Sequence, residues 1–163
     1  MKPMPKEAKL TFEGFRTNYR NTYRPYYQDP YTKHLEPFRI YGPLYYVGDQ
    51  AVCVHLIDTG DGLLMIDAGF PVQTPYIITA IMELGFNPRD VKNIIITHGH
   101  YDHMGCAEFF QKRYGTRIGI SRVDAELIAE KDDFILTQFC AENAPMFRAP
   151  KFDFLVEDGD VFT

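Results

Sequence analysis

The sequence predicts an α/β fold of the α+β kind, built on a mixed sheet, and three observations support that reading. Between residues 38 and 66 short apolar runs follow one another with only turns between them, the pattern of an antiparallel meander. From Thr74 onward helix signals alternate with strand signals. A helix between two strands is a crossover, so parallel pairing enters the sheet there. Finally, the branched run Ile94-Ile95-Ile96 makes a short buried strand, and Thr97-His98-Gly99-His100-Tyr101-Asp102-His103 follows it directly. That is the densest block of metal-ligand chemistry in the chain.

Residues 1 to 36 are polar and tyrosine-rich, with Tyr19, Tyr23, Tyr26, Tyr27 and Tyr31 among arginines and prolines and no clean period. They are expected to form an irregular N-terminal arm, with one short helix near Phe12 to Tyr23, separate from a folded portion over 37–163. A surface wrap and a flap beside a substrate cleft are both compatible with this composition. His34 falls in the arm and reads as solvated. Ile40 to Val47 and Ala51 to Asp58 read as paired strands around the turn Gly48-Asp49. Thr59-Gly60-Asp61-Gly62 is a second turn, leading into Leu63 to Ile66, which is apolar on both faces and therefore central. His55, inside the second strand, reads as structural. Asp67 ends a buried strand, where a carboxylate costs free energy unless it meets donors. It is either a turn former with Ala68-Gly69 or a group that orients a ligand histidine.

Thr74-Pro75 opens a helix, with a hydroxyl at the cap and proline at the first helical position. Ile77, Ile78, Ile81, Met82 and Leu84 give it an apolar stripe, and Gly85 ends it. Asn87 to Asp90 repeats the opening signal for one short turn. Met104 to Tyr114 reads as a helix closed by Gly115, with Phe109, Phe110 and Tyr114 as its core side. Arg117 to Ile120 is the next strand, and Ser121-Arg122-Val123-Asp124 resembles a capping box that starts a helix to about Glu130. Lys131 to Pro150 reads as a loose helix followed by a loop. Phe152 to Val156 and Val161 onward read as strands around Glu157-Asp158-Gly159-Asp160.

At 163 residues the chain is one domain by length. Its net charge of −5 argues against a nucleic-acid surface, which needs a basic stripe. No run approaches the ~20 apolar residues of a membrane-spanning helix. Met1 to Glu7 lacks the apolar core of a signal peptide, leaving either a cytoplasmic chain or one exported before its leader was removed. Cys53, Cys106 and Cys140 are too scattered for a disulfide framework and read as small apolar side chains. Cys106 lies three residues past His103, so metal ligation there is weighed against helix packing, which is the favoured reading.

In an extended segment alternate residues point the same way, so His98 and His100 present imidazoles to one point. Asp102 and His103 follow as the chain bends and reach a second point beside it. Imidazole with carboxylate suits zinc, and iron, manganese or cobalt less specifically. A lone histidine after a strand is usually a surface or core residue. Three within six positions, from five in the whole chain, have no structural purpose unless something bridges them.

The block from Thr97 to His103 resembles the H-x-H-x-D-H signature of the metallo-β-lactamase superfamily. Pro37 to Gly48 is similar to the opening strand of the third subclass of true metallo-β-lactamases, and Gly62 to Gly69 resembles the superfamily's second recurring block. The resemblance covers about residues 37 to 163 and implies the first half of a four-layer αββα sandwich. It implies up to two zinc ions, the first held by His98 and His100 and the second by Asp102 and His103, with Asp67 and Thr97 beside them. Asp102 is then the catalytic residue, orienting the attacking water. The implied activity is hydrolysis of a cyclic amide or ester of a small-molecule substrate by water that the metal acidifies. Alternatives are a lactone or thioester hydrolase, a non-heme iron persulfide dioxygenase, and an inactive metal-binding module. The family's later ligands have no matching positions, since no histidine follows His103. A truncated enzyme is therefore expected, ahead of a second chain or a swapped oligomer that completes the sandwich.

Overall fold

A computed structural model describes residues 28–130 and 147–161. The expected arm helix near Phe12 to Tyr23, and residues 131–146 of the expected loose helix, lie outside the described residues. Contacts divide the chain into Met1–Thr32 and Lys33–Thr163. The sheet and the histidine block both lie in the second unit.

Among the described residues, seven strands form one sheet in sequence order. They are β1 (Phe38–Tyr41), β2 (Leu44–Tyr46), β3 (His55–Asp58), β4 (Leu63–Ile66), β5 (Val91–Ile95), β6 (Arg117–Ser121) and β7 (Phe154–Val156). The first four pair antiparallel and β4 to β7 pair parallel, giving the expected meander followed by crossovers. The α/β fold with a mixed sheet is the one the sequence predicts. Register aligns Tyr45, Leu56, Met65, Ile94 and Ile118 in one row across five strands. All five are buried, so this row is the spine of the core.

Among the described residues the α-helices are α1 (Thr74–Glu83), α2 (Tyr101–Met104), α3 (Ala107–Tyr114) and α4 (Arg122–Glu130). Helix α1 buries Tyr76, Ile77, Ala80 and Ile81, whereas Met82, expected in the stripe, is 60% exposed. The buried set follows the i, i+4 spacing from Tyr76, whose hydroxyl accepts the Leu35 N–H at 3.1 Å and lies 3.0 Å from the Gly48 carbonyl. The cap position also differs from expectation. Gln73 occupies it, and Thr74 is the first helical residue, its hydroxyl donating to the Pro71 carbonyl. No described helix is long and apolar enough to cross a membrane.

Two further expectations are corrected. Ile40 to Val47 is not one strand, because a turn at Gly42-Pro43, with Gly42 at φ +50°, folds it into the β1–β2 hairpin. The Gly48-Asp49 turn belongs to a longer loop, and β3 begins only at His55. There the Asp49 carboxylate holds the loop by accepting the Ala51 and Val52 N–H groups, both at 2.8 Å. Val161 follows a turn closed by the Asp160 N–H on the Glu157 carbonyl, and residues 162–163 of the strand expected from Val161 onward lie outside the described residues.

Asp49 is 1% exposed. Its second oxygen accepts the Gln73 side-chain amide at 2.7 Å, while Gln73 Oε1 accepts the Phe70 N–H at 2.8 Å. Burial of this carboxylate is therefore matched by donors on both oxygens. Replacing Asp49 with alanine strands those donors, and the expected loss is about 3 kcal/mol of folding stability, read from urea denaturation midpoints at unchanged slope.

Candidate metal centre

Because β4 and β5 are parallel, their C-terminal ends meet at one edge of the sheet, where ligands bind in open α/β sheets. Asp67 stands immediately after β4 and Thr97 two residues after β5. Asp67 is the one described non-glycine residue with positive φ, at +60°. Aspartate tolerates that left-handed backbone better than most residues. The conformation sends its N–H to the Ile95 carbonyl at 2.9 Å and its carboxylate, 5% exposed, toward the histidine block.

That carboxylate accepts the Thr97 N–H at 2.8 Å and the Thr97 hydroxyl, which lies 2.9 and 2.8 Å from its two oxygens. Its Oδ2 also lies 2.8 Å from His103 Nδ1. With the Thr97 proton given to Asp67, the Thr97 oxygen 3.1 Å from His98 Nδ1 acts as an acceptor. The hydrogen bonds thus assign Nδ1–H to both His98 and His103 and leave their Nε2 lone pairs available, as metal binding through Nε2 requires. His98 Nε2 sits 3.1 Å from His100 Nδ1, and the His98 and His103 ring centroids are 4.0 Å apart. His103 Nε2 lies 3.8 Å from Asp102 Oδ2.

The structure therefore brings His98, His100, Asp102, His103, Asp67 and Thr97 together. It does so differently from the expected extended segment. Strand β5 ends at Ile95 and residues 97–99 form a bend, so His98 and His100 converge because the chain curls. Asp102 and His103 then ride on α2. The helix expected from Met104 to Tyr114 begins only at Ala107, as α3, and Met104 instead ends α2, with a break between Met104 and Ala107. At the break the Gly105 N–H turns to the Gly69 carbonyl at 2.8 Å and the Cys106 N–H to the Ala68 carbonyl at 3.0 Å. A Cβ on Gly105 would stand 2.3 to 2.5 Å from Pro71 N, Gly69 O and Phe70 C, so only glycine fits. In return the Ala68 N–H binds the His103 carbonyl at 2.6 Å. The loop carrying Asp67 and the helix carrying His103 are stitched together through backbone.

Electrostatics separate the histidines. Burial, then repulsion from His103 and His100, holds the His98 pKa below its ordinary value despite the nearby carboxylates. Burial also pulls His103 down, but the Asp67 hydrogen bond and the charges of Asp102 and Asp67 outweigh it, and the net shift is upward.

The donors fit a transition metal in kind, and their pairing is of the right size. Two ligands at zinc–nitrogen distances of about 2.0–2.1 Å lie about 3.3 Å apart in a tetrahedron, close to the 3.1 Å between His98 Nε2 and His100 Nδ1. Each pair supplies two donors where zinc takes four ligands. Among the described residues no group of three or more histidine, cysteine, aspartate or glutamate side chains is arranged to hold one ion.

Cys106 is not placed among the donors. It is fully buried, its Sγ donates to the Phe70 carbonyl at 3.0 Å, and burial pushes its pKa up to about 12. His55 packs its ring on Tyr46 within the sheet, and His34 pairs with Glu36 at 3.2 Å. One contact went unseen in the sequence: Asp124, on α4, accepts the Gly99 N–H between the first two histidines. The only sequence signal at Asp124 was its place in a capping box.

The family model described as the Metallo-beta-lactamase superfamily matches residues 47–162, and the chain belongs to that superfamily. Among solved structures, the chain is similar to BJP-1, a subclass B3 metallo-beta-lactamase of Bradyrhizobium japonicum, with a TM-score of 0.69 and 31% identity, covering 83% of this chain and 50% of that one. In sequence it is 30% identical to the hydroxyacylglutathione hydrolase GloC of Haemophilus influenzae, over 67% of this chain and 45% of that protein. It is 28% identical to the N-acyl homoserine lactonase AiiB of Agrobacterium fabrum, over 53% of this chain and 35% of that protein. The chain thus spans half or less of the length of these relatives.

Two outcomes follow from the geometry. Asp67→Ala frees His98 and His103 from their orienting contacts, and zinc affinity falls 10- to 100-fold, measured by competition with a chromophoric chelator. Protons also compete with metal for imidazole nitrogens. Since His103 holds its proton to a higher pH than an ordinary histidine, zinc affinity falls as pH drops through and below the neutral range. Calorimetric titrations at pH 5 to 8 give the curve, and a flat profile contradicts the assignment.

Proposed function

We propose that this chain serves a metal-dependent hydrolase that opens a cyclic amide or ester of a small molecule, in the manner of a β-lactamase. One observation carries the reading: two donor pairs, His98 with His100 and His103 with Asp102, converge in front of a single buried carboxylate that orients His103 directly and His98 through Thr97. The likeness to a B3 β-lactamase structure supports the cyclic amide. His98 and His100 would hold one zinc ion, and His103 and Asp102 a second, with iron or manganese as substitutes. Bound metal would lower the pKa of water to about 7 and polarise the carbonyl under attack.

The chain's own residues do the rest. Asp102, its side chain 24% exposed, orients the attacking water and accepts its proton. Asp67 and Thr97 keep His98 and His103 from rotating, so the donors enter the reaction already aligned. Further donors are needed beyond these four, and a second chain is one source of them. No nucleic-acid or membrane partner is proposed. The similarity to a lactonase and to a hydroxyacylglutathione hydrolase favours a second reading, in which the scissile group is a lactone or thioester.

The test is a panel of nitrocefin, an acyl lactone and S-lactoylglutathione, assayed on the full-length protein with and without chelator. Chelator-sensitive nitrocefin hydrolysis is expected, and Asp102→Ala lowers its kcat/KM by ~100-fold or more. Turnover confined to the lactone or thioester selects the second reading. Zinc binding without turnover of any of them leaves a binding module.

A further inference from the structure

We propose that Asp124 is a positioning residue for the metal centre, clamping the turn between His98 and His100 from outside the histidine block. This rests on the reading of that block as a metal site. In a capping box the acidic side chain turns back to the cap residue's own N–H. Asp124 does otherwise. Its backbone N–H donates to Ser121 Oγ at 3.1 Å, as a cap requires, and its Oδ2 accepts the Ser121 hydroxyl at 2.7 Å. Its Oδ1 is thereby aimed across to the next strand connection, where it accepts the Gly99 N–H at 2.9 Å.

Gly99 is buried, and it stands between the two imidazoles that face each other at 3.1 Å. One turn along α4, Ile128 closes on the same residue. A Cβ on Gly99 would meet Ile128 Cδ1 at 3.2 Å, Asp124 Oδ1 at 3.3 Å and Ile128 Cγ1 at 3.3 Å. Residues 97–99 lie in a bend outside any strand, so sheet hydrogen bonds do not hold Gly99. Its N–H is held instead by a carboxylate on α4. Asp67 orients His103 directly, and His98 through the Thr97 hydroxyl, from the β4 side, while Asp124 holds the backbone between His98 and His100 from the β6 side. The separation of the first donor pair is set by both.

The experiment compares wild type, Asp124→Ala, Asp124→Asn and Ser121→Ala in the full chain. It reads Gly99 amide exchange in metal-free protein and zinc affinity by chelator competition. Asp124→Ala is expected to speed Gly99 exchange at least tenfold and weaken zinc about tenfold. Asp124→Asn keeps an oxygen for the Gly99 N–H and restores both to within about threefold of wild type. Ser121→Ala removes the helix cap and the hydroxyl that steadies Asp124 Oδ2, lowers Tm, and costs Gly99 exchange and zinc affinity less than Asp124→Ala does, because the Gly99 N–H keeps its acceptor. Wild-type values in Asp124→Ala, or Ser121→Ala reproducing its losses in full, would overturn the proposal, since the residue would then act only as a cap. If Asp124→Ala does not fold, Gly99→Ala tests the contact from the loop side, and unchanged zinc affinity there overturns it equally. Should wild type bind no zinc, the metal reading fails by itself, and Gly99 exchange still decides whether the clamp exists.

Discussion

One buried carboxylate organises this molecule. Asp67 sits at the end of a central strand with less than a tenth of its surface exposed, where an unpaired charge would be too costly to keep. Its oxygens are satisfied by the Thr97 N–H, the Thr97 hydroxyl and His103 Nδ1. The same requirement that makes the carboxylate tolerable fixes His103 directly and His98 through Thr97, with their other nitrogens available. Stability and site geometry are therefore one set of hydrogen bonds.

The scaffold around it is built to keep that carboxylate still. Residues 67–70 exchange backbone hydrogen bonds with His103, Gly105 and Cys106, at the cost of breaking a helix. Behind them, Gln73 ties the Phe70 N–H to the buried Asp49. Contacts from three directions thus meet on a loop of four residues: β5 in front, the α2–α3 step beside it, and the Asp49 loop behind. Rigid support of this sort is what a metal site needs, since misaligned donors cannot share an ion.

Placement in the sheet also matters for chemistry. The parallel half brings the ends of β4, β5 and β6 to one edge, and each end contributes a different function. Asp67 orients, the residues after β5 supply donors, and α4 after β6 holds the intervening turn. The antiparallel half contributes core and little else near the site. The chain belongs to the superfamily of the matching family model and is similar to a β-lactamase, a lactonase and a hydroxyacylglutathione hydrolase, so the likeness extends across several substrate classes.

By itself the sequence determined whatever depends on local pattern and on chemical type. Alternation and helix-strand order specified the mixed sheet, proline and glycine marked the ends of α1, and the spacing of His98, His100, Asp102 and His103 marked them as candidate donors. Asp67 was legible only as a carboxylate in an expensive place. Tertiary structure decided the rest. The helix break at Gly105 arises because carbonyls nearly forty residues away in sequence outcompete those one turn back. The Gly42-Pro43 hairpin and the late start of β3 follow from pairing partners and from a buried aspartate, which periodicity does not encode. Asp124 looked like a cap because its role depends on a glycine 25 positions earlier. Local signals report on neighbours in the chain. Tautomers, clamps and helix breaks are set by neighbours in space, and only the folded chain brings those together.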